Sequence, residues 1–270
     1  MRIALRRGRL ERQRASALIT SANDSLVGNL QPEYWRFEGG INVDGALRAK
    51  AGPDLVDACL ALPIKDDTGK RDLVRWTRAV KVHESAVVRC PTGSAVKTTA
   101  GSLEADFVVH AVAPDVELTY GRYRSSEGPE DLLRAAYRSS FKAAADLECV
   151  ACPALGAGVK GWDPAVTAAL GLEAAASAAL ANEAPRSIEF VLGDDTLAAW
   201  ARVAATLLGP GDEWTIDPET LEEDDVGDLL PLRDVDEICL PRTLWANPEN
   251  AGTQTTGGAW RWQPGDPRAV

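Results

Sequence analysis

A glycine-rich segment in the second half of the chain has residue types that can bind phosphate groups. Its sequence, Gly156-Ala-Gly-Val-Lys-Gly161, has the spacing GxGxxG. Glycines allow the main chain to turn tightly and to come close to a ligand, and successive N–H groups of such a turn can point at phosphate oxygens. The segment therefore predicts a site for a phosphorylated ligand. A tight turn between a strand and a helix that binds nothing is the alternative.

The residues on either side of this segment favour the binding interpretation. An apolar run, Cys149–Leu155, predicts a buried strand before it, and Asp163-Pro164 is typical of the first residues of a helix. A dinucleotide-binding Rossmann unit has the same context, but it also needs an acidic residue at the end of the next strand to hold a ribose. Glu183 precedes the next apolar run, Ile188–Leu192, and Asp194 follows it but lies farther away than that pattern requires. The Rossmann interpretation is therefore the weaker one.

The cysteines and histidines do not predict a metal or redox site. The five cysteines have irregular spacing, and the one CxxC pair, Cys149 and Cys152, lies in the apolar run, where residues three apart face opposite sides of a strand. The two histidines are His83 and His110, and His110 lies in another apolar run that predicts a core position. We therefore predict no metal and no cofactor. The odd number of cysteines favours reduced thiols and a cytoplasmic protein.

Strands and helices alternate along residues 1–209. The predicted strands are Met1–Leu5, Ala17–Thr20, Ala86–Arg89, Phe107–Ala113, Cys149–Leu155 and Ile188–Leu192, and the predicted helices are Gly45–Ala51, Asp54–Leu62, Leu132–Asp146, Pro164–Asn182 and Thr196–Leu208. This alternation predicts an α/β fold with a mixed central sheet and helices on both of its faces. The first fourteen residues contain six arginines, so an organelle-targeting peptide is the alternative to the first strand.

The acidity of the chain is concentrated in residues 210–270, which we predict to be an extension of the domain. Residues 211–240 contain twelve acidic residues and one arginine, so this segment alone accounts for the net charge of −11. An acidic run is most often a solvated face, and contact with a basic partner is the alternative. The charge balance gives no support to nucleic-acid binding. No apolar run of about 18 residues predicts a membrane span.

Six motifs occur in the order that is found in macrodomains. They are Thr20-Ser-Ala-Asn23, Asn42-Val-Asp-Gly-Ala46, Ala51-Gly-Pro53, Cys90-Pro-Thr-Gly-Ser-Ala95, Val109-His-Ala-Val-Ala-Pro114 and Pro153-Ala-Leu-Gly-Ala-Gly-Val-Lys-Gly161. Residues 1–209 therefore resemble the macrodomain family. The resemblance implies a three-layer α/β/α domain with a cleft for ADP-ribose.

The resemblance also implies which residues hold the ligand. The residues that would wrap the diphosphate are Leu155, Gly156, Ala157, Gly158, Val159, Lys160 and Gly161, and those that would cover its other side are Gly39, Gly40 and Val43. Asn23 would contact the distal ribose, and Asp44 would orient or activate a water there. Hydrolysis of an ADP-ribosyl ester or glycosidic bond needs such a carboxylate beside a water. From the residues alone, the alternatives are a helix N-cap for Asp44 and a turn residue for Asn23.

Three positions depart from the family pattern. Arg9 stands where members commonly have an aspartate that holds the adenine amino group. Lys160 replaces an aromatic residue of the glycine loop, and Gly193 replaces an aromatic residue beside the adenine. Lys160 offers a positive charge to a phosphate instead. The residues at 30–38 and 64–82 add four aromatic side chains that predict either core packing or a substitute stacking surface, namely Tyr34, Trp35, Phe37 and Trp76.

We therefore predict a protein that binds ADP-ribose or a related nucleotide diphosphate and hydrolyses ADP-ribosyl linkages. Three other functions are left open. The first is a reader that binds ADP-ribose without turnover, and the second is a degenerate macrodomain that acts as an interaction module through its acidic extension. The third is a Rossmann-like oxidoreductase, which the poor fit of the ribose-binding acid disfavours.

Overall fold

The computed structural model of the chain describes most of the domain. The described residues are 1–26, 36–37, 40–65, 75–77, 80–82, 88–114, 116, 128–158, 160–207, 214–216, 253–254 and 260–261. No helix in these ranges is long and apolar enough to cross a membrane.

A sheet of seven strands forms the centre of the domain. Its strands are β1 (Arg2–Arg7), β2 (Ala15–Ser21), β7 (Ala95–Thr99), β8 (Ala105–Ala111), β9 (Cys149–Cys152), β10 (Ser187–Leu192) and β11 (Trp214–Ile216). They lie in the order β11-β1-β10-β9-β2-β8-β7. All neighbours in this order pair in parallel except β7 and β8, which are antiparallel. Three small hairpins are separate from the sheet: β3 (Arg36–Phe37) with β4 (Gly40–Ile41), β5 (Arg75–Thr77) with β6 (Val80–Val82), and β12 (Thr253–Gln254) with β13 (Trp260–Arg261).

The described residues include five α-helices beside the sheet, and they are α1 (Val43–Ala51), α2 (Pro53–Leu60), α3 (Pro129–Ala143), α4 (Pro164–Leu180) and α5 (Asp194–Leu207). A single 3₁₀ turn, Leu10–Arg12, follows β1. The side chain of Asp163 accepts a hydrogen bond of 2.8 Å from the N–H of Ala165 and so caps α4. The predicted start of this helix at Asp163-Pro164 is therefore confirmed.

The two faces of the sheet carry separate apolar clusters. On β2, Ala17 and Ile19 belong to a cluster that α3, α4 and α5 complete with residues such as Tyr137, Leu170 and Trp200. Leu18, between them, belongs to a second cluster that α1 and α2 complete with Leu47 and Leu55. This alternation is the period of two that a strand covered on both faces must have. The domain therefore has three layers, helix, sheet and helix.

The predicted α/β/α fold with a mixed sheet is confirmed, and the differences concern single elements. The strand predicted for Cys149–Leu155 ends at Cys152, because Pro153 has no N–H to donate to a neighbouring strand. The first strand is β1, which is paired on both of its edges. One of those partners is β11, which comes from the segment that we predicted as an extension. Half of the strand predicted for Ala86–Arg89 lies outside the described residues.

Candidate functional site

The glycine turn at 156–161 joins β9 to α4 and is open to solvent at two of its three glycines. Gly156 and Gly161 have φ angles of +86° and +73°, which side chains disfavour. A Cβ atom at Gly158 or at Gly161 would meet nothing within 4 Å. The main chain at these two positions can therefore be approached closely by a ligand.

Some N–H groups of the turn donate hydrogen bonds within it, and others have no acceptor among the described residues. The N–H of Trp162 donates to the carbonyl of Gly156 at 3.1 Å, and that of Gly161 donates to the carbonyl of Gly158 at 3.0 Å. Within the described part of the chain, the N–H groups of Gly156 and Gly158 have no acceptor. Such unused N–H groups in a glycine turn are suited to phosphate oxygens.

Two buried aromatic residues hold the turn in place. The hydroxyl of Tyr137, from α3, accepts a hydrogen bond of 2.8 Å from the N–H of Leu155. The indole Nε1–H of Trp162 donates to the carbonyl of Pro114, after β8, at 2.9 Å. Both side chains are almost completely buried. Because they tie the turn to two neighbouring elements, its shape is set before any ligand binds.

Asn23 lies directly beyond the end of β2. Its Oδ1 atom accepts a hydrogen bond of 3.1 Å from the hydroxyl of Ser25. No acceptor for its Nδ2 group is found among the described residues, and the residue is half-buried. Asn23 therefore offers an N–H donor, rather than an acceptor, to a ligand.

Asp44 lies in the first turn of α1 and its carboxylate is held at both oxygens. Oδ1 accepts from the hydroxyl of Thr20, in β2, at 3.2 Å, and Oδ2 accepts from Nε of Arg48 at 2.7 Å. The N-cap of α1 is Asn42, whose side chain accepts from the N–H of Gly45 at 2.7 Å. The alternative interpretation of Asp44 as the N-cap is therefore wrong. The Asp44 side chain is 15% exposed and does not cap the helix.

The topology of the sheet places these two groups of residues at one edge. Strands β2 and β9 are parallel neighbours, so their carboxyl ends lie side by side. Asn23 follows the end of β2, Thr20 of the same strand holds Asp44, and the glycine turn follows β9. The carboxyl edge of a parallel sheet is where ligands of open α/β folds bind. The arrangement can thus bind an anion at the turn and a hydroxyl-bearing group at Asn23.

The predicted ligand-binding residues fall into four groups. Val43 is 39% exposed next to Asp44, and Gly40 lies in β4. Leu155 is completely buried and its N–H donates to the hydroxyl of Tyr137. It therefore supports the turn and does not offer this N–H to a ligand. Gly39 and Val159 lie outside the described residues. The remaining predicted members of the turn lie in the described loop, and they are Gly156, Ala157, Gly158, Lys160 and Gly161.

Sequence reasoning missed Arg48, Tyr137 and Trp162 as residues that support the site. Arg48 follows Asp44 by one helical turn, a spacing that places the two side chains together and was therefore a usable signal. For these roles of Tyr137 and Trp162 the chain has no local signal, since Tyr137 reaches Leu155 from α3 and the indole of Trp162 reaches Pro114, 48 residues earlier in the chain.

The residues near the end of β1 form ion pairs with each other. Arg9 Nε lies 2.6 Å from Oε1 of Glu11, and the Glu11 side chain is largely buried. Arg7 pairs with Asp194 at 3.1 Å beside Gly193, where a Cβ would meet nothing within 4 Å. Near the end of β1, where Arg9 replaces the aspartate of other family members, two carboxylates are thus present. Glu11 is paired with Arg9, and Asp194 is paired with Arg7.

The described thiols and histidine do not form a reactive or metal-binding group. Burial raises the pKa of Cys152 well above its ordinary value and that of Cys90 to about 12, which leaves both thiols protonated. His110 is completely buried, as predicted for a core histidine. No group of three or more histidine, cysteine or acidic residues that could hold a metal ion occurs in the described ranges.

Together, these features define a three-layer α/β/α domain with an open glycine turn at the carboxyl edge of its sheet, where Asn23 also lies. The Macro domain family model matches residues 19–170. The chain therefore belongs to the macrodomain family, as the six sequence motifs predicted.

Relatives and solved structures agree with this assignment. A macro domain-containing protein in the sno 5' region of Streptomyces nogalater is 34% identical over 71% of this chain and 85% of its own length. The O-acetyl-ADP-ribose deacetylase of Escherichia coli K12 is 32% identical over 72% of this chain and 89% of its own. The Oceanobacillus iheyensis macrodomain with ADP shares the fold, with a TM-score of 0.55, 22% identity and coverage of 76% of this chain and 90% of that one.

Proposed function

We propose that this macrodomain binds ADP-ribose, or a closely related nucleotide diphosphate, and hydrolyses ADP-ribosyl linkages at the Asn23–Asp44 end of the site. The observation that carries the proposal is the open glycine turn on the same sheet edge as Asn23 and Asp44. The deacetylase of Escherichia coli, whose name specifies O-acetyl-ADP-ribose, is a relative over most of the chain and supports this choice of ligand.

The diphosphate is assigned to the glycine turn. The N–H groups of Gly156 and Gly158 can each donate to a phosphate oxygen, and no side chain lies over Gly158 or Gly161. The turn also precedes the N-terminus of α4, where the helix dipole favours negative charge. Lys160, in the same turn, adds a positive charge near the bound anion.

The distal ribose is assigned to Asn23 and Asp44. The Nδ2 group of Asn23 would donate to a ribose hydroxyl or to the linkage oxygen. A carboxylate has about four acceptor positions, so Asp44 can still accept from a water while Thr20 and Arg48 donate to it. That water would attack the ester carbonyl, and the products would be the free acid and ADP-ribose. The carboxylate orients the water, takes up its proton and returns it to the ribose oxygen as the ester C–O bond breaks.

A reader that binds ADP-ribose without turnover is the second candidate. The observation that favours it is that both carboxylate oxygens of Asp44 already accept hydrogen bonds, from Thr20 and from Arg48. The two candidates predict the same ligand and differ only in turnover.

Calorimetry and a hydrolysis assay on the same protein separate the candidates. Titration with ADP-ribose should give a heat change that fits one binding site per chain, whether the protein is a hydrolase or a reader. Release of acetate from O-acetyl-ADP-ribose should occur with the wild type and fall by about 10²-fold in Asp44→Asn with little change in affinity. Binding without acetate release would favour the reader, and no binding at millimolar ADP-ribose would contradict both. A cytoplasmic location and a basic partner for residues 210–270 stay predictions from the sequence.

A further inference from the structure

Arg48 is a buried arginine that makes two directed hydrogen bonds at the site. Its side chain is only 2% exposed. Nε donates to Oδ2 of Asp44 at 2.7 Å, and Nη2 donates to the carbonyl of Leu26 at 3.0 Å. The guanidinium fork presents these donors in fixed directions, which a lysine ammonium cannot reproduce. Arg48 therefore links α1 to the turn that follows β2.

The turn that Arg48 reaches is the one that carries Asn23. The N–H of Leu26 donates to the carbonyl of Asn23 at 3.1 Å, which closes the turn. Leu26 is completely buried and has a φ angle of +62°, a left-handed conformation that is uncommon for a residue with a branched side chain. A conformation of this kind persists only where the surroundings hold it. The hydrogen bond from Nη2 of Arg48 is one of the contacts that hold it.

The charge of Arg48 is matched by Asp44 and by no other carboxylate among its described partners. Burial lowers the pKa of Arg48, but the charge of Asp44 and the hydrogen bond to it, together with smaller effects of Cys59, outweigh it, so the pKa lies above its ordinary value. Two other ionisable groups beside it, Cys59 and His110, are neutral at pH 7. Burial raises the pKa of the Cys59 thiol, and burial together with the Arg48 charge lowers that of His110 to about 3. Asp44 is therefore paired with a buried cation that keeps its charge.

We propose that Arg48 is the positioning residue of this site, which sets the carboxylate of Asp44 and the turn of Asn23 in one geometry. Because its side chain is almost completely buried, it acts through Asp44 and Leu26 and not by direct contact with the ligand. One guanidinium holds the residue assigned to the water and, through Leu26, the residue assigned to the ribose. The inference rests on the proposed hydrolysis and adds the residue that fixes the distance between the Asp44 carboxylate and the Asn23 side chain.

The first test compares two arginine-to-lysine variants in the hydrolysis of O-acetyl-ADP-ribose. Arg48→Lys keeps the charge but loses one of the two directed bonds, so kcat should fall by about 10²-fold while KM and the calorimetric Kd for ADP-ribose change by less than about threefold. Arg134→Lys is the matched control. Arg134 is also largely buried and pairs with Asp131 and Glu173, but it lies on α3 outside the site, and its variant should keep the wild-type kcat.

The outcomes separate this inference from the proposed function. A wild type that binds ADP-ribose but releases no acetate contradicts the hydrolysis itself. An active wild type with an unchanged kcat in Arg48→Lys, or with equal losses in both arginine variants, contradicts only the role of Arg48.

A second measurement does not depend on the folding of an Arg48 variant. In nitrogen-15 spectra of the unliganded protein, the Arg48 Nε–H should be protected from exchange with water, and Asp44→Asn should make its exchange faster. The same substitution should shift the amide resonances of Asn23 and Leu26, because Arg48 transmits the change to their turn. Unchanged resonances of these two residues in Asp44→Asn would overturn the inference.

Discussion

The ring of Trp162 occupies the space into which a side chain at Gly156 would have to extend. A Cβ atom built on Gly156 would lie 2.6 Å from Cδ1 of Trp162. The main chains of the two residues are also joined, since the N–H of Trp162 donates to the carbonyl of Gly156 at 3.1 Å. Glycine is thus required at position 156 because Trp162 leaves no room for a side chain. At position 158 a side chain would fit, and glycine matters there only because it lets a ligand approach the main chain.

This difference predicts that Gly156→Ala destabilises the protein and that Gly158→Ala does not. The alanine at 156 would take a φ of +86° and would push against Trp162, which together should cost about 2 kcal/mol or more. The alanine at 158 meets nothing within 4 Å. Urea unfolding of both variants measures the difference, and equal free energies of unfolding would show that Trp162 does not constrain the turn.

The proposed diphosphate site predicts that Gly158→Glu abolishes binding while the fold is kept. Position 158 is exposed and has room for a side chain, so the free energy of unfolding should change by less than about 0.5 kcal/mol. The new carboxylate would repel the diphosphate, and the calorimetric affinity for ADP-ribose should fall by about 10²-fold or more. Gly158→Gln, which has nearly the same size without the charge, is the control. Unchanged affinity in Gly158→Glu would place the ligand elsewhere.

Much of the fold could be predicted because its signals are local. Ala17, Leu18 and Ile19 alternate between the two apolar clusters, which is the pattern of a strand covered on both faces. Asp163 and Pro164 begin α4 by a capping rule that needs no tertiary information. β11 could not be found in this way, because a three-residue strand in an acidic segment is defined only by its pairing with β1.

The sequence predicted the residues of the candidate site, but it did not predict the contacts that hold them in position. Asn42 and Asp44 are both good capping residues, and the sequence does not decide which of them closes the first turn of α1. The structure assigns the cap to Asn42, and this leaves Asp44 free to contact Thr20 and Arg48. The left-handed conformation of Leu26 has no signal in the sequence, because it results from the contacts around it.

The indole hydrogen bond of Trp162 predicts a link between the stability of the turn and ligand affinity. Trp162→Phe keeps an aromatic ring but removes the donor to the carbonyl of Pro114, which should lower the free energy of unfolding by about 1 kcal/mol and weaken ADP-ribose binding. Trp200→Phe is the matched control, since Nε1 of this fully buried residue has no partner in the described structure. Its affinity for ADP-ribose should equal that of the wild type. An equal loss of affinity in both variants would contradict the link.

The buried His110 makes the stability of the folded protein decrease as the pH falls below about 6.5. Its Nε2 atom lies 2.9 Å from the hydroxyl of Thr98 and 3.5 Å from the sulfur of Cys59. Burial, with a smaller effect of the Arg48 charge, lowers its pKa from 6.5 to about 3. The unfolded chain therefore binds a proton at this residue below pH 6.5, while the folded protein does not. Stability from this residue is fully present above that pH and is lost as the pH falls toward 3.

The expected result is that the wild type loses about 2 kcal/mol more stability between pH 7.5 and pH 5 than His110→Gln does, which follows from the difference between pH 5 and the ordinary histidine pKa of about 6.5. Glutamine keeps an N–H donor for Thr98 and does not titrate. Urea unfolding at several pH values in this range measures both proteins. The carboxylates that also titrate there are the same in both, so their contribution cancels in the difference. Parallel curves for the two proteins would show that His110 is not held neutral in the folded state.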